Sequence, residues 1–147
     1  MNDAAKKILI VDDEENIRWV FKKALEKKRF VVHTAASGED ALKKINGNDY
    51  ALVFSDIFMD GMSGLELLEK IKALNNDLKV VVMTAQDTMN NTIEAMRKGA
   101  YDYISKPFDF DEIYRLVDKA VESHAAPPPL VEDWEDVGEF SVDAIIG

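Results

Sequence analysis

The chain contains no cysteine. That absence excludes disulfides, thiolate metal sites, a cysteine nucleophile and an iron–sulfur cluster. Histidine is nearly absent too: His33 and His124 stand far apart and unaccompanied, which suits surface roles better than a metal site. No apolar stretch approaches the roughly 18 residues of a membrane span, and the opening MNDAAKK lacks the apolar core of a secretory signal. The expectation is a cytoplasmic protein with no membrane partner. Basic residues are the minority, 18 against 28 acids, for a net charge of −10. Residues 125–147 hold six of those acids and no base, which leaves −4 for residues 1–124. A body this acidic has no clustered Lys/Arg face, so direct nucleic-acid binding is discounted.

What is present is ordinary globular composition, 47% hydrophobic and 31% charged over 147 residues, enough for one domain with a real core. Five short apolar runs, ILIV at 8–11, FVV at 30–32, ALVF at 51–54, VVVM at 80–83 and YDYI at 101–104, are strand-length. The first, third and fourth are almost unbroken, as in strands buried on both faces of a parallel sheet. Helical patterns separate them. Ile17, Val20, Phe21, Ala24 and Leu25 fall on one side of residues 14–28 and four lysines on the other, with Trp19 partly packed. Ser37 opens a second helix that stops at Gly47, and Ser63 with Glu66 forms a capping box for a third. Asp87 caps a fourth that ends with Arg97, Lys98 and Gly99; Asp109 with Glu112 caps a fifth that ends near His124. The fold class is α/β, a (βα)5 doubly wound five-stranded parallel sheet with helices on both faces. AAPPP at 125–129 breaks the pattern as a Pro-rich linker. Residues 1–124 form the domain. An acidic tail follows at 130–147, with Leu130, Trp134 and Val137 at helical spacing. It suits a disordered extension, a partner-binding segment, a strap on its own domain or the start of a further module.

In open parallel sheets the ligand site lies outside the carboxyl ends of the strands. Asp12 and Asp13 follow the first strand, Asp56 the third, Thr84 the fourth and Lys106 the fifth. Clustered carboxylates repel unless a cation or proton intervenes, and hard oxygen ligands suit Mg²⁺ or Mn²⁺. Glu14 and Glu15 start the first helix, where acids favour the N-terminal dipole. Asp56 is either one more metal ligand or a nucleophile that takes a phosphoryl group. The neighbours favour the nucleophile, because a metal on one side and Lys106 on the other would stabilise the transferred charge. Thr84 adds a neutral donor, and small Ala85 leaves an incoming donor room in line. Each of these residues has a blander use alone: a cap and turn for Asp12 and Asp13, a turn hydroxyl for Thr84, a solvated loop lysine for Lys106.

VDDE, SDIFMDGMSGLELL, MTAQ and SKPFDFDEI, in that order and at those separations over residues 5–124, resemble the response regulator receiver domain of two-component signalling. The resemblance implies strand order 2-1-3-4-5, a flavodoxin-like arrangement. It implies Asp56 as phospho-acceptor, with Asp12, Asp13, Asp56 and the Phe58 backbone carbonyl around Mg²⁺ (or Mn²⁺). Thr84 and Tyr103 would be the switch hydroxyl and aromatic, Lys106 the phosphoryl-stabilising lysine, and Pro107 a cis proline. Phe58 and Gln86 would flank the pocket where water attacks and set the lifetime of the phosphoryl group. The implied donor is a sensor histidine kinase or phosphotransfer protein in a phosphorelay. The implied output runs through the helix 4, strand 5 and helix 5 face, or through a phosphorylation-dependent homodimer. The chain would be no enzyme beyond its own phosphorylation and dephosphorylation. One departure is Asp60, where the family commonly has proline; it adds negative charge near the pocket and frees the loop. The rivals are a receiver-fold scaffold that works without phosphorylation, a haloacid-dehalogenase-type phosphatase, which lacks its second acid because Phe58 stands there, and a flavodoxin-like flavin binder, whose phosphate DDEEN would repel.

Overall fold

A computed structural model describes residues 6–85 and 89–125; the proposed cap Asp87, the accessory residue Gln86, most of the linker and the whole tail lie outside the described residues. The elements run β1 (Lys7–Val11), α1 (Glu15–Glu26), β2 (Val31–Ala35), α2 (Gly38–Gly47), β3 (Leu52–Asp56), α3 (Gly64–Leu74), β4 (Lys79–Thr84), α4 (Met89–Arg97), β5 (Asp102–Ser105) and α5 (Phe110–Ala125). All strand pairs are parallel, in the order β2-β1-β3-β4-β5. The expected topology is therefore the observed one. The second strand lies later than its apolar run FVV: Phe30 packs from the preceding turn, and β2 runs on through His33 and Thr34 because it pairs with β1 up to Ala35. Polar residues there are tolerated because β2 is an edge strand.

Side-chain alternation splits the core in two. Leu9, Val11, Val53, Val80 and Val82 face α2 and α3. Ile8, Ile10, Leu52, Phe54, Val81 and Met83 face α1 and α5, where Phe21 meets Phe54 and Phe108 with ring centroids 5.0 Å apart. Each central strand thus buries both faces, which explains its unbroken apolar run. Trp19 differs from expectation: it is 61% exposed on the outer side of α1, with the Lys23 ammonium 5.9 Å from its ring. The apolar stripe of α1 is already filled by Ile17, Phe21, Ala24 and Leu25, so position 19 points away from the core.

The helix starts follow the expected chemistry. Ser37 accepts from the Asp40 N–H, Ser63 and Glu66 form a reciprocal capping box, and Asp109 accepts from the Asp111 N–H. Glu14 occupies the N-cap of α1 without a side-chain cap bond, and Glu15 supplies the acid in the first turn. Gly99, at φ +106°, turns the chain after α4.

Gly64 has a more demanding task. Its N–H donates to the Ile57 carbonyl at 2.7 Å, and a Cβ there would lie 2.0 Å from the Asp56 carbonyl oxygen and 2.6 Å from the Ile57 Cα. Only glycine lets α3 begin so close to the end of β3. Gly64→Ala must push backbone aside, since no flexible side chain is there to yield. The expected cost is about 3 kcal/mol, at the upper end for overpacking, measured as a lowered urea midpoint with unchanged m-value.

Candidate functional site

The register of three strands builds the site. Val11 pairs with Ser55, so the residues that follow, Asp12 and Asp56, emerge side by side at the carboxyl rim. Asp56 pairs with Met83, and Thr84 with Ser105, which brings Thr84 and Lys106 to the same rim. The Lys106 N–H donates to the Thr84 carbonyl at 2.7 Å and ties the two loops together.

Asp12, Asp13 and Asp56 each offer a carboxylate oxygen, and these lie within 4.8 Å of one another; Asp12 is 0% exposed and Asp56 7%. Lys106 Nζ reaches between them, 3.5 Å from Asp12 Oδ2 and 3.4 Å from Asp56 Oδ2. Backbone groups fix the acids further. Glu14 N–H donates to Asp12 Oδ1 at 2.9 Å and Phe58 N–H to Asp56 Oδ1 at 3.2 Å, while Arg18 Nη1 holds the Asp12 carbonyl at 2.8 Å.

Burial dominates the electrostatics. It pushes Asp12 up to about 6, opposed by the Glu14 N–H and reinforced by the negative charge of Asp56. Asp56 is also raised by burial, with Lys106 pulling the other way. Burial alone would lower Lys106, but attraction to Asp12 and Asp56 outweighs it and holds the ammonium above the usual lysine range. Two buried carboxylates with one lysine remain short of positive charge. The donor set is all oxygen, concentrated and partly open through exposed Asp13, which fits a hard divalent cation.

The other expected residues fall as follows. Thr84 is buried at the end of β4 and Ala85 is exposed beside it. Tyr103, on β5, is 39% exposed and turned from the core. The Lys106–Pro107 peptide bond is cis. Phe58 places its backbone at the pocket and leaves its ring 53% exposed. Asp60 does not simply free its loop: its N–H lies 3.4 Å from Asp13 Oδ2, a tie that a proline at this position could not make. Sequence reasoning missed Arg18, Gly64 and this amide. Arg18 had no signal beyond its place one turn into α1, and the other two act through backbone.

A family model for the response regulator receiver domain matches residues 8–118. The chain belongs to the response regulator receiver family. This receiver is 41% identical over 112 residues to the DNA-binding transcriptional regulator NtrC of Klebsiella pneumoniae, covering 76% of this chain and 24% of that one. To NtrC of Azospirillum brasilense it is 32% identical over 136 residues, 92% of this chain and 28% of that one. The receiver thus spans about a quarter of the length of these relatives. Among solved structures, the receiver domain of NtrX from Brucella abortus superimposes with a TM-score of 0.76 at 36% identity, covering 79% of this chain and 98% of that one. A CheY-like receiver from Methanospirillum hungatei gives 0.79 at 30% identity, covering 83% and 98%. Among the described residues no helix is long and apolar enough to cross a membrane.

The raised Asp12 makes a pH prediction with a definite sign. The folded chain keeps the Asp12 proton up to about pH 6, whereas a free carboxyl releases it near 3.8. Its stabilising contribution is complete below pH 3.8 and is lost as pH climbs through 6, so the cation-free receiver weakens over that window. Asp12→Asn removes the penalty. It should raise cation-free stability at pH 7 by about 2 kcal/mol and flatten the loss between pH 4 and 6, as followed by urea denaturation in chelator.

Proposed function

We propose that the receiver is a phosphorylation switch: Asp56 accepts a phosphoryl group in a reaction that needs Mg²⁺ or Mn²⁺, and the acylphosphate biases the loops after β4 and β5. The observation that carries this is the cluster of buried Asp12 and Asp56 with exposed Asp13, the Lys106 ammonium lying between the two buried acids. A carboxylate oxygen of Asp56 attacks phosphorus, the new O–P bond forms, and the bond from phosphorus to the donor's leaving group breaks with its electron pair. Asp12, Asp13 and Asp56, joined by the Phe58 carbonyl, would hold the divalent ion, which supplies charge neutralisation for the transferred oxygens. Lys106, already 3.4 Å from Asp56, supplies positive charge on its own side. Exposed Ala85 leaves the in-line approach open. Thr84, joined to Lys106 through the Thr84 carbonyl, supplies a hydroxyl that a phosphoryl group can recruit.

Recruitment converts chemistry into a signal. A phosphoryl group adds charge and acceptor oxygens that Thr84 and Lys106 satisfy together only in one arrangement of their loops, and that difference shifts the population. The readout face is α4, β5 and α5, where Ile93, Met96 and Tyr103 are exposed. It would serve an output domain, a separate protein or a phosphorylation-dependent homodimer. The donor is a histidine kinase or phosphotransfer protein in the cytoplasm. Residues 1–124 form the switch, although α5 runs one residue further, to Ala125, than the Pro-rich linker expected at 125–129 allows, and the acidic segment 130–147 contacts a partner. The chain is no enzyme beyond its own phosphorylation and hydrolysis; Phe58, two residues past the acceptor, supplies no general acid for a phosphatase.

Intact mass after incubation with acetyl phosphate tests the acceptor. One phosphoryl group is gained with Mg²⁺, and none without Mg²⁺ or in Asp56→Ala. Lys106→Ala is expected to slow labelling on the order of a hundredfold, the usual scale for losing one preorganised charge at a transferring group. Labelling that survives Asp56→Ala would overturn the assignment.

A further inference from the structure

Among the described residues the sheet ends in two edge strands, β2 and β5, and they differ. At β2 the ladder bonds from Val31 N–H to the Lys6 carbonyl and from Asp12 N–H to the Ala35 carbonyl turn positions 31 and 35 inward to β1. By alternation, Val32 and Thr34 present their backbone groups to the open edge. Both of their carbonyls are taken by lysines. Lys22 Nζ, from α1, donates to the Val32 carbonyl at 3.4 Å, and Lys44 Nζ, from α2, donates to the Thr34 carbonyl. The two helices lie on opposite faces of the sheet, so the ammonium groups close on the edge from both sides. Each lysine is steadied by an acid one turn away on its own helix, Glu26 at 3.3 Å and Asp40 at 3.4 Å.

The strand they cover is suited to pairing. VVHTA is rich in β-branched residues and holds no proline, glycine or carboxylate, and Val31 is exposed at its start. The matching partner is a second copy of the same edge. In an antiparallel pair with a twofold axis at His33, Val32 would face Thr34 of the other copy, and each would exchange N–H and carbonyl bonds. That exchange needs the two carbonyls that Lys22 and Lys44 occupy.

We infer that the β2 edge is a latent self-pairing surface, and that Lys22 and Lys44 keep it closed by capping the Val32 and Thr34 carbonyls. Removing both lysines lets two copies join β2 to β2 into one continuous sheet. Association through this receiver is thereby confined to its other faces.

The test uses the full chain, which has no cysteine of its own. His33→Cys places a single thiol at the proposed twofold, and diamide oxidation traps any pairing as a disulfide dimer. Adding Lys22→Met and Lys44→Met is expected to speed trapping by about tenfold or more, the scale of losing one or two charge-assisted bonds per copy. Concentration-dependent dimerisation should appear by sedimentation velocity without the thiol. Circular dichroism and Asp56 labelling confirm that the variant is folded. Lys23→Met with Lys43→Met, on the same helices, matches the added apolar surface and should trap no faster than His33→Cys alone. Equal trapping in the Lys22/Lys44 variant and the His33→Cys parent would overturn the inference, as would equal acceleration by the Lys23/Lys43 pair. Should the double variant precipitate, Lys44→Met alone, compared with Lys43→Met alone, decides by the same trapping rate.

Discussion

The structure turns on an unfavourable arrangement: two buried carboxylates and a third at the surface, crowded at one rim of the sheet with one lysine for company. Left to themselves these groups would separate or take up protons, as the raised Asp12 and Asp56 show. They stay because Asp12 and Asp56 continue neighbouring strands whose register is set by apolar packing on both faces. The core thus supplies the free energy that keeps an acidic site out of its electrostatic optimum. A divalent ion or a proton can each relieve part of that strain, which makes the rim responsive to cations and to pH.

The loops that leave the rim are tightly bound to it. Gly64 brings α3 against the Asp56 carbonyl, the Asp60 N–H approaches Asp13, and the Lys106 N–H reaches the Thr84 carbonyl. A change in bonding at Asp56 therefore meets backbone on several sides. Among those sides are the loops of Thr84 and Lys106, which border α4 and β5. The sheet edges extend the same logic. At β2 two lysines cover the outward carbonyls, whereas β5 borders the exposed side chains Ile93, Met96 and Tyr103. One end of the sheet thus presents ammonium groups and the other exposed apolar and aromatic side chains.

Much of this was legible in the chain. Unbroken apolar runs marked the central strands because both of their faces are buried, and Ser37, Ser63 and Asp109 marked helix starts through chemistry local to three or four residues. The acids, hydroxyl and lysine after successive strands pointed to one rim because parallel strands place their carboxyl ends together. Patterns that depend on an edge or a single face were less legible. The limits of β2 and the exposure of Trp19 depend on what packs beside them, and no local pattern records that.

By itself the sequence determined the element order, the α/β class and the identity of the acidic residues, since periodicity, caps and strand-end position are short-range properties. Only the tertiary structure decided how near those acids lie, how far burial lifts Asp12, why position 64 must be glycine, and that Lys22 and Lys44 meet the outward carbonyls of β2. Those features join residues distant along the chain, or depend on the exclusion of water. They exist only once three helices and five strands have closed around them.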